Sequence, residues 1–241
     1  IPAHMVCKTY YDLENAVYSD FEQNMFNDKY LSERCIMSST NDVIQERNFQ
    51  MINKLPGELI MSYSVDCCVE EDDKARYDID FLNRINTSGI PPHRLAIKKG
   101  CCIILIKNLD VRNGHVNGQR YIVLEASRHL IKARKLCGGP NSELLIPRIP
   151  MVSNDSRFPV PFKRLQFPIL GAYYLTINRA QGQTLMRSGV YLPQSVFCHG
   201  HLYVALGRNG DPDQVFVYAD QAEFDNIKDH LDPHKTYTRN I

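Results

Sequence analysis

The spacing of apolar residues divides the chain into stretches of helical and of extended character. Between Leu13 and Phe21 the apolar residues recur at intervals of three and four, and Asp12 stands just before them. Such spacing places the apolar side chains on one face of a helix, and Asp is a favourable N-cap. The pattern predicts a helix that is capped by Asp12 and packs its apolar face on the core.

A short strand followed by a second helix is predicted next. The run Arg34–Ser39 is mostly apolar, which is typical of a buried strand. Thr40 and Asn41 are good capping residues, and helical spacing then continues as far as Pro56-Gly57. Amide groups at the start of a helix also favour a phosphate, so Thr40 and Asn41 are either caps alone or contacts to a nucleic-acid backbone. The local sequence by itself favours caps alone.

Short β-type runs fill the middle of the chain. They lie between Pro91 and Pro150 and are separated by turn dipeptides such as Asn117-Gly118, in which both residues favour positive φ. This pattern predicts a small β-barrel inserted into a larger fold. The proline-rich stretch 147–168 is expected to be an exposed connection back to the larger fold.

Strands and helical stretches alternate on both sides of the inserted region. The strand at 34–39 precedes a helix, and further strands are predicted at 188–192 and 215–218. Alternation of this kind indicates a parallel α/β layer.

Composition narrows the classes of protein that the chain represents. Its 241 residues, 44% of them hydrophobic, are enough for one large domain or two modest ones. The longest apolar run, Cys101–Ile106, is far too short to span a bilayer, so no membrane partner is expected. A formal net charge of +1 argues against a sequence-independent polycation but allows local positive patches.

The eight cysteines do not predict a disulfide framework. Their spacing is irregular and several lie in apolar runs, where a thiol packs as a small hydrophobe, so a reduced intracellular protein is expected. The tight group Cys198-His199-Gly200-His201 lacks the second pair of ligands that a structural zinc site needs. No metal site is therefore predicted.

Two segments carry the strongest chemical signal. They are AYYLTINRAQGQTL at 172–185 and YVALGR at 203–208. In this order they resemble motifs V and VI of superfamily-one DNA helicases, above all the Pif-type helicases and their relatives in Helitron transposons. Gln-Gly-Gln alone would be weak evidence, since glycine in a polar turn often reflects backbone geometry.

The resemblance extends to the regions that precede these segments. The strand, the turn at 39–41 and the following helix resemble motif IV, while PPHRLAIKKG at 91–100 and NGQR at 117–120 resemble the inserted 2B domain, a Src-homology-3-like barrel. Together the similar regions cover roughly residues 31–218 in the family's order. Gly207 departs from the pattern, since the family usually has Ser before the motif VI arginine.

The resemblance implies an α/β fold. It consists of a RecA-like second motor domain, with helices flanking a mostly parallel sheet, interrupted by the small barrel. Residues 6–90 and 151–241 are assigned to RecA-like domain 2A, and residues 91–150 to barrel 2B. Residues 1–5 show no periodicity and contain His-Met, as a cloning site would encode, so they are interpreted as an expression scar.

The resemblance also implies roles for particular residues. Arg208 is expected to be the catalytic arginine finger that reaches the γ-phosphate of ATP. Contacts to DNA are expected from Ser39, Thr40, Asn41, Thr176, Asn178 and Arg179. The ATP cleft is expected to include Gln181, Gly182, Gln183 and Arg208. The alternative for Arg208 is an exposed arginine that interacts with a helix dipole.

Tyr173 and Tyr174 are candidates for stacking on bases, although core packing is the better interpretation for at least one of them.

These residues lack the phosphate-binding half of a helicase motor. None of the 13 glycines is followed by Lys, so no phosphate-binding loop is present. We therefore expect ATP and Mg²⁺ as cofactors of an intact parent, with neither bound by this chain alone. The expected partners are single-stranded DNA and an N-terminal RecA-like domain.

The function that follows is the C-terminal motor half of an ATP-dependent 5′–3′ DNA helicase. One alternative is a helicase-derived module that binds single-stranded nucleic acid, or acts as a scaffold, without ATPase activity. Another is a barrel that binds only proteins. The expected location is intracellular, with the nucleus placed before a mitochondrial or viral context.

Overall fold

The computed structural model describes residues 1–70, 77–87, 89–139, 142–153, 155, 158, 160–194, 196 and 200–220. They form two compact units. Unit 1 contains residues 1–47 and the described residues from 173 onward, and unit 2 contains residues 48–172.

Unit 1 is built on a four-stranded parallel sheet. Its strands are β1 (Arg34–Ser38), β12 (Tyr174–Thr176), β13 (Arg187–Leu192) and β14 (Val215–Ala219). Their order in the sheet is β12-β1-β13-β14, with every neighbouring pair parallel. The nearly continuous burial of β1 and β13 is what a sheet covered on both faces requires.

Helices accompany this sheet. They are α1 (Tyr10–Val17), α2 (Phe21–Asn24), α3 (Asp28–Ser32), α4 (Asn41–Lys54) and α6 (His201–Leu206). Short 3-10 helices lie at Ala3–Met5 and Pro212–Gln214. The boundary between the two units falls within α4.

The N-terminus of α1 corrects the sequence prediction. Thr9, not Asp12, is the N-cap: its hydroxyl accepts a hydrogen bond from the Asp12 amide, and the Asp12 carboxylate accepts one from the Thr9 amide. Asp12 is thus the third helical residue of a capping box. The helix ends at Val17, so Phe21 belongs to α2.

Helix α1 runs antiparallel to the strands. Near its C-terminal end, Ser19 accepts a hydrogen bond from Arg187 at the start of β13. Further along β13, Gly189 lies against Leu13 and Val17, and the first helical residue, Tyr10, lies near Tyr191. The N-terminus of α1 is therefore at the edge of the sheet where the strands end.

Unit 2 is mostly antiparallel β-structure. Its strands are β2 (Ile60–Tyr63), β3 (Val65–Cys68), β4 (Arg94–Ile97), β5 (Cys102–Leu105), β6 (Arg120–Ala126), β7 (Leu130–Lys135), β8 (Glu143–Pro147), β9 (Ile149–Ser153), β10 (Phe162–Gln166) and β11 (Ile169–Gly171), with helix α5 at Ile79–Arg84. They form sheets of order β11-β5-β6-β7-β8, β3-β10-β9 and β2-β4. The five-stranded sheet stands where the sequence predicts the small barrel.

The proline-rich stretch 147–168 is not the exposed connection that the sequence predicts. It contains β9 and β10, and β10 pairs with both β9 and β3. Phe162 and Arg164 are completely buried on one face of this sheet. Prolines fit here because Pro150 lies on β9, an edge strand of its sheet, and Pro161 lies just before β10.

Unit 2 is also wider than the inserted region predicted at 91–150. Pairing of β3 with β10 brings the chain near residue 66 together with the chain near residue 164, so the stretches before 91 and after 150 join the same unit. Assignment of the two units to domains 2A and 2B, and of residues 1–5 to an expression scar, stays a prediction. No helix in the described ranges is long and apolar enough to cross a membrane.

Candidate nucleic-acid and nucleotide site

Two predicted motifs meet where strands β1 and β12 end. Ser38 is aligned with Thr176 in the parallel register, and the Ile177 amide donates to the Ser38 carbonyl at 3.1 Å. The carboxyl ends of neighbouring parallel strands lie at one edge of a sheet. The turn at 39–41 and the turn that begins at Thr176 therefore lie side by side, and we call this the carboxyl edge of unit 1.

Thr176 organises the second of these turns. Its carbonyl accepts hydrogen bonds from the amides of Arg179 and Ala180 at 2.9 and 3.1 Å, and its hydroxyl accepts one from the Arg179 amide at 3.3 Å. The Thr176 side chain thus fixes the backbone of the turn, while Asn178 is exposed beside it.

A hydrogen bond joins the two motifs directly. Nη1 of Arg179 donates to Oδ1 of Asn41, the first residue of α4, at 3.3 Å. The amide of Asn41 is neutral, and no carboxylate among the described residues pairs with Arg179. Burial lowers the pKa of this guanidinium below its ordinary value. A partly buried cation without a counter-ion is therefore available to an anion.

Ser39 adds a buried hydroxyl to the same edge. Its side chain is 8% exposed, and its Oγ has no hydrogen-bond partner among the described residues. Thr40 follows in the short connection before α4, and its carbonyl accepts the Ile44 amide. The structure thus gathers five of the six predicted DNA contacts around one hydrogen-bonded turn pair, and Asn178 lies on the rim.

The residues predicted for the ATP cleft lie further along the same turn. Gln181 and Gly182 are exposed, and Gly182 has a φ of +79°, which side chains other than glycine rarely adopt. Nε2 of Gln183 is buried without a hydrogen-bond acceptor in the described part of the chain. The stretch 177–186 runs from the end of β12 to the start of β13, so it connects opposite edges of the sheet.

Arg208 is held by its own helix. Its Nε donates to the carbonyl of Val204 at 3.0 Å, four residues earlier in the chain. Its backbone carbonyl accepts the Leu185 amide at 3.0 Å, which places Arg208 just beyond the Gln181–Gln183 turn. Among the described residues, no hydrogen bond joins the Arg208 side chain to that turn. The predicted helix start near His199 lies outside the described residues, as does the Cys198-His199 pair.

The structure overturns the stacking role considered for Tyr173 and Tyr174. Both side chains are buried, at 0% and 2% exposure. The Tyr174 hydroxyl donates to the Glu14 carboxylate at 2.7 Å, and the Tyr173 ring packs edge-on against Tyr18 and Phe21. Both tyrosines are core residues because β12 is covered by helices.

Aromatic residues that the sequence analysis did not select lie at the same edge. Tyr191 is aligned with Ser38 in the sheet, and Arg47 of α4 lies over the ring of Tyr10 at 3.8 Å. The adjacent pair Tyr10-Tyr11 just after a capping threonine was the available signal. Within the described residues, no group of three metal-ligating side chains is close enough to hold an ion.

Comparison with known proteins shows similarity to Pif1 helicases. A family model described as DNA helicase Pif1, 2B domain, matches residues 80–125. The ATP-dependent DNA helicase PIF1 of Xenopus laevis is 29% identical over 170 residues, which cover 69% of this chain and 24% of that protein. The chain is similar to Pif1 helicases. It spans about a quarter of the length of this Pif1 relative.

Solved structures of Pif1 helicases share the fold. The Pif1 helicase from Candida albicans superposes with a TM-score of 0.57 at 22% identity, covering 91% of this chain and 57% of that chain. The Bacteroides Pif1 helicase in complex with ADP-AlF3 and ssDNA gives a TM-score of 0.54 at 15% identity, covering 95% and 54%. These likenesses confirm the predicted RecA-like α/β fold.

Proposed function

We propose that this chain is the translocating half of an ATP-dependent 5′–3′ DNA helicase. In this proposal the carboxyl edge of unit 1 binds the backbone of single-stranded DNA. A separate RecA-like domain would hold ATP and Mg²⁺, and Arg208 would reach the γ-phosphate across the cleft between them. Such a protein would act inside the cell, where its DNA substrate is.

The observation that carries the DNA-binding part is the state of Arg179. Its guanidinium is partly withdrawn from water and has Asn41 as its hydrogen-bond partner, and none of the carboxylates that the structure describes pairs with it. A phosphate oxygen would supply the missing charge and accept a charge-assisted hydrogen bond.

Groups that prefer an anion surround this guanidinium. Helix α4 begins at Asn41 on the same edge, and the free amides at the start of a helix favour negative charge. The Ser39 hydroxyl has no protein partner among the described residues and is free to donate to a phosphate oxygen. None of these groups reads a base, so the proposed contacts are independent of sequence.

The proposed ATP chemistry divides between two domains. The second domain would supply the phosphate loop, the metal ligands and the residue that orients the attacking water. The Arg208 guanidinium would stabilise charge on the transferring phosphoryl group, which requires it to turn away from Val204 when the cleft closes. DNA-bound Thr176 and the nucleotide cleft would be linked through the Gln181–Gln183 turn.

The DNA-binding part is tested by removing the Arg179 charge. We expect Arg179→Gln to weaken binding of a labelled oligo-thymidine at least tenfold, measured by fluorescence anisotropy. The slope of log K against log salt should also become shallower by about 0.7, the value for one lost phosphate contact on a single strand. Thr176→Ala should weaken binding as well, since the turn loses its side-chain hydrogen bond.

A matched control separates this site from general charge. Lys29→Gln removes one positive charge from exposed α3, which precedes the opposite end of β1. We expect Lys29→Gln to retain nearly full affinity. If Arg179→Gln weakens binding no more than Lys29→Gln does, the proposed phosphate site is wrong.

A second candidate function is a single-strand-binding module without ATPase activity. The hydrogen bond from Arg208 to Val204 favours it, because an arginine used as a helix cap need not reach a nucleotide. The two functions differ in a longer protein that carries a phosphate loop. As a finger, Arg208→Ala should reduce ATP turnover on the order of a thousandfold, with little rescue by Lys. Unchanged turnover would favour the second function, while the 241-residue chain alone should hydrolyse no ATP in either case.

A further inference from the structure

Five planar side chains form a continuous stack in unit 1. The rings of Tyr11 and Tyr10 have centroids 3.8 Å apart and planes tilted by 35°, and the Arg47 guanidinium lies 3.8 Å from the Tyr10 centroid. Arg47 is also 5.3 Å from the Tyr191 centroid, and Tyr191 stacks on Tyr218 at 5.7 Å and 27°. We call Tyr11, Tyr10, Arg47, Tyr191 and Tyr218 the aromatic stack.

The aromatic stack lies at the carboxyl edge. Tyr191 is aligned with Ser38 on one side and with Tyr218 on the other. Tyr10 and Tyr11 open helix α1, whose N-terminus is at this edge, and Arg47 lies on α4, which begins there with Asn41. Neighbouring strands are about 4.8 Å apart. Tyr191 on β13 is therefore one strand from the end of β1, which Ser39 follows, and two strands from β12, which precedes Arg179.

The inner members of the stack are fixed and its outer member is open. Tyr191 is 7% exposed and its hydroxyl accepts a hydrogen bond from Arg47 at 3.1 Å. Tyr11 is 62% exposed, and Tyr10 is its ring partner among the described residues. A hydrogen bond with Tyr10 raises the pKa of Tyr11, so the Tyr11 phenol stays neutral at physiological pH. The fixed inner side chains thus support the Tyr11 ring, which presents one exposed π-face.

We propose that Tyr11 binds a nucleobase of the single strand whose phosphate contacts Arg179. This inference rests on the proposed DNA-binding function. Aromatic rings stack on any base, and each such contact is worth about 1–3 kcal/mol on alanine substitution. The Arg179 guanidinium at the same edge favours a polyanionic ligand, which distinguishes a nucleic acid from an apolar peptide.

The division of labour follows from the geometry. The Arg179 side of the edge would hold the backbone, and the Tyr11 side would hold a base of a neighbouring nucleotide in the same strand. Because the stack is built from four chain segments, loss of its exposed member removes one surface without dismantling the rest. Tyr11→Ala is therefore expected to leave the fold intact, which thermal unfolding checks.

The test compares two oligonucleotides that carry the same phosphates. One is oligo-thymidine and the other is an abasic strand of equal length, each labelled for fluorescence anisotropy with the full chain. We expect Tyr11→Ala to weaken binding of oligo-thymidine about tenfold and binding of the abasic strand less than twofold. Tyr11→Phe should retain affinity. Phe26→Ala, which removes another exposed aromatic ring of unit 1, should match the wild type.

The outcomes separate this inference from the proposed function. If Tyr11→Ala binds both strands as tightly as the wild type, while Arg179→Gln weakens both, the phosphate site stands and the stacking proposal is wrong. Equal losses for Tyr11→Ala on both strands would also overturn stacking. Absence of wild-type binding to either strand would overturn both proposals together.

Discussion

Arg164 shows how one side chain can tie several elements together. Its guanidinium is completely buried and forms an ion pair with Asp66 at 2.6 Å. The remaining donors reach the carbonyls of Leu82, Ile85 and Pro91 at 2.8 to 3.1 Å. A single guanidinium thus donates hydrogen bonds to acceptors on β3, at the end of α5 and in the loop before β4.

Removal of this cation should destabilise unit 2 strongly. Arg164→Met retains much of the apolar stem but leaves the buried Asp66 carboxylate and three carbonyls without donors. We expect a loss of about 3–5 kcal/mol in the free energy of unfolding, measured by urea denaturation.

The neighbouring residue provides the control. Lys163 lies on the same strand but points to the exposed face. Lys163→Met should change stability by less than about 0.5 kcal/mol. Similar effects of the two substitutions would contradict the role assigned to Arg164.

The sequence alone could not locate Arg164, because burial of a charge depends on partners distant in the chain. Asp66 is 98 residues away from it. By contrast, motif order selected Thr176 and Asn41 as candidate contacts, and the structure brings their turns together. Arg208 lies at the predicted helix end, but its contact with Val204 depends on a rotamer that no sequence pattern reveals.

At the scale of elements, the contact between α1 and β13 depends on a glycine. A Cβ at Gly189 would lie 2.9 Å from atoms of Ile36 and Val17 and 3.1 Å from Leu13. Only hydrogen at this position lets the helix approach the strand so closely.

Gly189→Ala should therefore separate helix from sheet. Overpacking of this kind costs about 1–3 kcal/mol, which thermal or urea unfolding would detect. Gly210→Ala is the matched control, because a Cβ there meets nothing within 4 Å. Equal stability of the two variants would show that α1 adjusts without cost.

Periodicity predicted most strands of unit 1 to within one or two residues, because buried parallel strands are continuous apolar runs. It did not reveal β9 and β10, where prolines and charged residues suggested an exposed connection. Buried and exposed positions alternate along these strands. Because the buried position 164 is an arginine, the sequence does not show the alternation of apolar and polar residues that predicts a strand. The start of α1 was misplaced because Asp12 and Thr9 both have capping side chains.

For the whole molecule, acid should weaken one unit before the other. The described histidines with lowered pKa, His93 and His115, both lie in unit 2, and desolvation is the main cause for each. A histidine with a depressed folded pKa stabilises the fold fully above its unfolded value near 6.5. That stability is lost as pH falls from there through the folded pKa, because the unfolded chain binds the proton first.

We expect amide hydrogen exchange to show falling protection in unit 2 between pH 7 and pH 5, after correction for intrinsic exchange rates, with unit 1 little changed. Replacement of both histidines should flatten this dependence; His115→Gln keeps an acceptor for the Tyr121 hydroxyl. An unchanged pH dependence in that double variant would assign the effect to other groups.

The division of the chain into units was predicted only in outline. The short β-type runs predict an insertion at 91–150, and that domain assignment stays a prediction. The second compact unit of the structure contains residues 48–172. The limits of unit 2 are set by strand pairing between distant segments, which local sequence patterns do not predict.

The two ends of unit 2 meet at a clasp, where Asn48 donates to the Gly171 carbonyl at 3.1 Å. Strands β1 and β12 must pair across an interruption of about 125 residues, and closing a flexible loop of that length costs about 4 kcal/mol. Once unit 2 has folded, the clasp shortens the effective loop to a few residues and most of that entropic cost has already been met. The parallel sheet of unit 1 should therefore assemble after unit 2. Strand β1 is synthesised before unit 2, yet it should pair with β12 only after unit 2 has folded.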